Sequence, residues 1–230
     1  MWDGRKNSIM NEKKIFFQRL FFLTSSDDLD LHHFLDGEIS KVITLKKIST
    51  LDSLFVENLS SKDLLISYAT SSIVPKEILK QLGGAYNVHA APPTYPGRDP
   101  HHFALYHGEK EYGVTIHVME EEVDAGDIVE EVYFKISDGT FPDELLREAD
   151  KVAIQLIKRF LFKALFSPFP LSAKSIPWGA VKNTRQDFLN LCEIPLDISL
   201  EELEHRIKTC VTKKYKNLKV TLHGYTFKLE

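Results

Sequence analysis

Three observations predict an α/β fold of three layers on a mostly parallel sheet, ending in a small helix plus β-hairpin. Short apolar runs at 20–24, 42–45, 63–69 and 85–89 alternate with segments carrying helix signals, the rhythm of strand–helix–strand crossovers. A long stripe at helical spacing, Leu145, Ala149, Val152, Leu156, Phe160 and Ala164, follows them. Residues 218–222 and 225–229 alternate apolar and polar around His223–Gly224, a hairpin signature. The 230 residues, 43% hydrophobic and 27% charged, can fill one sizeable core.

The elements follow in order. Residues 1–12 are polar and expected to fray. The run 20–24 stops at Ser25-Ser26-Asp27-Asp28, so it reads as a buried strand entering a loop. Residues 28–35 suggest a short helix, 42–45 a second strand, and 51–58 a helix capped by Ser49 or Thr50. After the strand at 63–69, Ser71 or Ser72 should open a helix with Pro75 in its first turn, closed by Gly83–Gly84. A strand at 85–89 completes the parallel set. Residues 103–107 read as a short helix, and 114–119 and 128–136 as strands close enough to pair antiparallel. Thr140 with Asp143 resembles a capping box, with Pro142 in the first turn of a helix reaching about 165. Pro168, Pro170 and Pro177 mark 166–178 as a linker, and Ser199 with Glu202 caps a helix to about 210. This divides the chain into a catalytic domain, 13–165, and an extension, 166–230.

Composition narrows the function. A net charge of −4 argues against a surface built to bind phosphate backbones, so no nucleic-acid partner is expected. Two cysteines, Cys192 and Cys210, cannot build a disulfide framework, which suggests a reducing, cytoplasmic setting. Gln18 and Arg19 interrupt the apolar stretch 15–23 and no small-residue cleavage site follows, so a buried strand explains it better than a signal peptide. No apolar run reaches the roughly 18 residues that span a bilayer. Adjacent His101 and His102 cannot both face one ion, and no His-x3-His spacing occurs, so no metal is expected.

The chemistry concentrates between Asn87 and Val129. Asn87 and His89 lie two apart on a strand and share a face, at the C-terminal strand end where α/β proteins place their sites. Asp124 sits in a later loop before Ala125–Gly126. An amide, an imidazole and a carboxylate suit acyl transfer to an amine. Asn87 would donate to a developing oxyanion, an effect of roughly 2.7–4 kcal/mol per donor. His89 would exchange a proton with nitrogen, for about 10²–10⁴-fold, and Asp124 would orient it. Arg98, Asp99, His101 and His102 form a polar cluster after Gly97 and are candidate acceptor contacts.

The motifs Asn87-x-His89, a Pro loop ending at Gly97, Gly113-Val-Thr-x-His117 and Val123-Asp-x-Gly126 resemble the 10-formyltetrahydrofolate-dependent formyltransferases. That superfamily includes glycinamide ribonucleotide, methionyl-tRNA and sugar-nucleotide enzymes. The resemblance covers roughly residues 63–136 and implies a Rossmann-like core with Asn87, His89 and Asp124 as catalytic trio. It makes His117 a support near Asp124, places the pterin of 10-formyltetrahydrofolate against Tyr68, Ala69, Ile73, Glu120, Val123 and Asp124, and implies no metal. The chain departs from purine-pathway members at Thr24–Asp28, where a Gly-rich phosphate loop is absent, and in a shorter stretch before Asp63 that suggests a missing helix–strand element. His89-Ala-Ala-Pro-Pro93 replaces the commoner His-Ser-Leu-Leu-Pro. The small tail is nearer the sugar-formyltransferase pattern, so the implied acceptor is an amino sugar on a nucleotide or another small primary amine. The hairpin is a candidate homodimer contact. A formyltetrahydrofolate hydrolase and a non-catalytic folate-binding protein are the alternatives.

Overall fold

The computed structural model describes residues 14–229, so the fraying expected over 1–12 lies outside the described residues. The chain forms two compact units interleaved along the sequence. Of the described residues, one comprises those up to Val88, Val118–Glu121 and Ile154–Ala173; the other comprises His89–His117, Glu122–Ala153 and those from Lys174 on.

The first unit is a parallel sheet with short helical connections. Strand β1, Arg19–Thr24, buries Leu20, Phe21, Phe22 and Leu23 completely, as expected of a parallel strand covered on both faces. Helix α1, Leu29–Phe34, is capped by the Asp28 carboxylate, which accepts from Leu31 N–H at 2.8 Å. A π-helical turn over Leu35–Ile39 prolongs it, and Leu31, Leu35 and Ile39 are buried at four-residue spacing. Strand β2, Thr44–Ile48, pairs with β1 in parallel. Helix α2, Asp52–Phe55, precedes strand β3, Asp63–Tyr68, which is buried throughout. Helix α3, Lys76–Leu79, leads to strand β4, Gly84–His89. The order is β2-β1-β3-β4, all parallel. Asp63 accepts from Arg19 at 2.7 Å through each carboxylate oxygen and from Ser60 N–H. This two-pronged pair fixes β1 against β3.

Several local expectations shift. Between β1 and β3 the chain carries α1, β2 and α2, the helix, strand and helix that the sequence led one to expect there. Helix α2 is a single turn with Leu51 as its N-cap, and no side chain caps it. Helix α3 starts after Pro75, whose ψ of 148° is extended. The residue before a proline avoids the helical region, and Ser72 N–H is taken by Thr70 Oγ1 at 3.1 Å, a local bond that competes with helix formation.

In the second unit, helix α4, Pro100–Tyr106, precedes strand β5, Glu111–Val118, and strand β6, Ile128–Lys135, which pair antiparallel with a bulge between Ile116 and His117. Helix α5 is Pro142–Leu165. Its expected Thr140 cap does not form: the Thr140 hydroxyl donates to Ser137 carbonyl oxygen, and the Glu144 carboxylate accepts from Phe141 N–H. Helix α6, Arg185–Leu191, was not foreseen, although Thr184 and Asp187 make a complete capping box. Helix α7, Leu200–Cys210, has the expected Ser199 cap. Strands β7, Lys219–Leu222, and β8, Tyr225–Lys228, form the hairpin, with His223 and Gly224 both at positive φ in its turn. One buried cluster joins Ala91, Tyr95, Phe103, Tyr112, Leu145 and Ala149 to Phe188, Cys192, Cys210 and Leu218. The C-terminal segment therefore shares a core with residues 91–149 and does not pack on its own. Among the described residues, no helix is long and apolar enough to cross a membrane.

Candidate active site

Strand β5 explains the Gly-x-Thr-x-His pattern physically. A Cβ on Gly113 would meet Val132 carbonyl oxygen at 2.6 Å, so the close β5–β6 approach needs glycine there. Thr115 Oγ1 donates to Ala91 carbonyl oxygen at 2.8 Å and anchors the chain just beyond His89. The bulge before His117 interrupts the ladder and re-aims that side chain.

His89, His117 and Asp124 meet. His117 Nε2 lies 3.3 Å from Asp124 Oδ1, and His89 Nδ1 lies 3.6 Å from Asp124 Oδ2. Gly97 N–H donates to Asp124 Oδ2 at 2.8 Å. Tyr95 carbonyl oxygen sits 2.9 Å from His89 Nε2. A carbonyl only accepts, so Nε2 carries the hydrogen and Nδ1 is the nitrogen turned to the carboxylate. Asp124 is 4% exposed and has φ of 48°, in the left-handed region. Burial alone would raise its pKa, but the charge of His89, the His117 hydrogen bond and the Gly97 amide outweigh it and hold the group at about 2. The result is a buried, ionised carboxylate between two imidazoles, the kind of perturbed cluster that marks functional sites. Asn87 is half-buried and precedes His89 by two residues on β4, on the same strand face.

The polar cluster after Gly97 divides. Arg98 is exposed, while Asp99 is ion-paired to Arg185 at 3.0 Å. His102 is a correction to the acceptor reading: it is 4% exposed, its Nδ1 meets Thr209 carbonyl oxygen at 2.6 Å, and its ring lies on Phe188. That pairing ties α4 to α7 and leaves no face for a ligand. His101 packs against His102, ring centroids 4.3 Å apart. Among residues expected to face a pterin, Tyr68 is 1% exposed, whereas Ala69, Ile73, Glu120 and Val123 are exposed.

Two residues at the site were missed. Trp178 donates its indole N–H to Gly126 carbonyl oxygen at 2.8 Å and sets its ring edge-on to His117 and His89, centroids 5.0 and 6.0 Å away. Lys182 donates to the Glu122 carboxylate at 2.7 Å and to Val123 carbonyl oxygen. The only sequence signal was an isolated Trp beside Pro177 and Gly179. An open cleft of about 450 Å³ lies on Tyr95, Phe103, His107, Glu109, Val181 and Asn183. On its wall the Tyr95 hydroxyl donates to Glu109 at 2.8 Å.

An imidazole–carboxylate cluster at the C-terminal end of a parallel strand places the chain in the class of α/β proteins that carry their ligand site there. The relationship follows from comparison: residues 49–161 match the model described as formyl transferase, so the chain carries that domain. The fold is shared with solved structures of a 4-N formyltransferase from Francisella tularensis (TM-score 0.76, 20% identity, 93% of this chain and 97% of that one). It is shared also with a Helicobacter canadensis N-formyltransferase in complex with folinic acid and dTDP-3-aminofucose (TM-score 0.67, 16% identity, 90% and 85%). In sequence, the methionyl-tRNA formyltransferase of Streptococcus agalactiae is 41% identical over 88 residues, 36% of this chain and 28% of that protein. That of Listeria monocytogenes is 38% identical over 105 residues, 43% and 34%. The matches thus span about a third of those relatives' length.

Proposed function

We propose that the protein is an N-formyltransferase that moves a formyl group from 10-formyltetrahydrofolate to the primary amine of a small acceptor, an amino sugar carried on a nucleotide. The observation that carries this reading is Asp124, buried yet ionised between His89 and His117. The donor, when bound, supplies an activated formyl carbon. Asn87 then donates its amide N–H to the oxygen that gains charge. His89, held by Tyr95 at Nε2, exchanges a proton through Nδ1, and Asp124 stabilises the charged imidazole. His117 and the Gly97 amide keep Asp124 in place. Ala69, Ile73, Glu120 and Val123, with the Tyr68 backbone and Asp124, are the proposed pterin contacts. Arg98 and His101, with the cleft beside Tyr95, are the proposed acceptor side. Free thiols at Cys192 and Cys210 fit a cytoplasmic setting, and the hairpin, where Tyr225 and Phe227 are exposed, is the proposed homodimer contact.

The test is tetrahydrofolate release from 10-formyltetrahydrofolate with a panel of amino-sugar nucleotides. Absence of release with every amine would sink the proposal. Formate release without any amine would favour a hydrolase instead, and folate binding without turnover a non-catalytic role. The sequence identity to methionyl-tRNA formyltransferases supports a second reading, aminoacylated tRNA as acceptor. Methionyl-tRNA belongs in the same panel, and turnover with it alone selects that reading.

A further inference from the structure

Asp124 holds a left-handed backbone that a residue with a side chain adopts at a cost, so something must keep it there. The carbonyls on either side of Asp124–Ala125 are both gripped from one short stretch. Lys182 donates its ammonium to Val123 carbonyl oxygen, and Trp178 donates its indole N–H to Gly126 carbonyl oxygen at 2.8 Å. Lys182 adds an ion pair to Glu122 at 2.7 Å.

The same stretch is bound along its backbone to the loop that contacts the other side of the carboxylate. Gly179 N–H donates to Pro93 carbonyl oxygen at 2.9 Å, Asn183 N–H to Pro96 carbonyl oxygen at 3.1 Å, and Arg98 N–H to Asn183 carbonyl oxygen at 2.7 Å. The approach is so close that a Cβ on Gly179 would lie 2.3 Å from Thr94 carbonyl oxygen. Residues 93–98 include the Tyr95 carbonyl that meets His89 and the Gly97 amide that meets Asp124.

We propose that residues 178–183 act as a clamp that sets the position of Asp124, with Trp178 and Lys182 as positioning residues. The clamp closes on both carbonyls flanking the aspartate turn, and its backbone seats the loop that completes the carboxylate's hydrogen bonding. Trp178 also sets its ring edge-on to both imidazoles. The inference rests on the formyl-transfer reading for its catalytic consequence and on geometry alone for the clamp.

The experiment uses the full chain with Trp178→Phe, which keeps a ring but loses the donor, and Lys182→Met, which keeps length but loses the ammonium. Hydrogen–deuterium exchange of amides 122–126 should quicken by about tenfold in each variant, against unchanged exchange in β3. With 10-formyltetrahydrofolate and the best amine, kcat should fall by about 10- to 100-fold while the acceptor KM moves less than about threefold, the pattern of a displaced catalytic group. Lys182→Arg should restore most of kcat. Unchanged exchange at 122–126 would overturn the clamp. Faster exchange with wild-type kcat would overturn its positioning role. If the wild-type protein transfers formyl to no amine, the functional reading has failed, and the exchange rates alone decide the clamp.

Discussion

Asp124→Asn isolates the electrostatic heart of the site, because it keeps an acceptor for the Gly97 amide while removing the charge. The folded carboxylate titrates at about 2 against an ordinary 3.8. At about 1.4 kcal/mol per pH unit, that difference is worth about 2.5 kcal/mol of folding free energy. The folded value is the lower one, so this stabilisation is fully present above about pH 4 and disappears as pH falls through about 2; roughly half survives at pH 3. The asparagine variant lacks this component at every pH. Urea unfolding of both proteins at pH 7, 5, 4 and 3 should therefore give a stability difference that is constant down to pH 4 and narrows below it by about 1 kcal/mol by pH 3. The carboxyl carbon of Asp124, followed by NMR, should titrate near 2. A midpoint at or above 3.8, or a difference that does not narrow on acidification, would refute the argument that the imidazoles hold this group ionised. Turnover of Asp124→Asn should drop by at least about 10²-fold at pH 7.5, since His89 loses its partner.

Asn87→Ala should lower kcat by roughly 10²–10³-fold with an unchanged far-ultraviolet circular dichroism spectrum; wild-type turnover would remove Asn87 from the catalytic set. Gly97→Ala should destabilise the protein by about 1–3 kcal/mol, because φ is +97° and the new methyl would stand 2.1 Å from Asn183 carbonyl oxygen; a melting temperature equal to wild type contradicts this. Cys192 and Cys210 are fully buried, and a hydrogen bond to the Cys210 thiol, with burial, pushes Cys192 up, so neither should react with a thiol-specific disulfide reagent until urea unfolds the chain. Rates should rise with pH as the acceptor amine loses its proton, and a flat profile from about pH 6 to 9 speaks against an amine nucleophile.

The strands were legible because burial on both faces leaves uninterrupted runs such as Leu20–Leu23 and Leu64–Ile66, which need no partner to be recognised. The meeting of His89, His117 and Asp124 was legible through motif order and the family resemblance those motifs carry. What escaped notice depends on contacts between distant segments. Helix α6 announced itself through Thr184 and Asp187, but its short length and the preceding prolines concealed it. His102 has the chemistry of a ligand contact, yet the Thr209 carbonyl, 107 residues away, decides its role. Trp178 and Lys182 lie in a stretch without periodicity, and their importance arises only from where Val123 and Gly126 end up.

The cluster shared by Ala91, Tyr95 and Phe103 with Phe188, Cys192, Cys210 and Leu218 also bears on how such a protein can diverge. Truncation after residue 173 would remove Phe188, Cys192, Cys210 and Leu218 from the cluster that holds Tyr95, together with Trp178 and Lys182, which grip the turn at Asp124. The C-terminal stretch is thus not an interchangeable appendage. On the proposed acceptor reading, new acceptor preferences are easier to reach by point changes around Arg98, His107 or Val181 than by grafting a foreign tail.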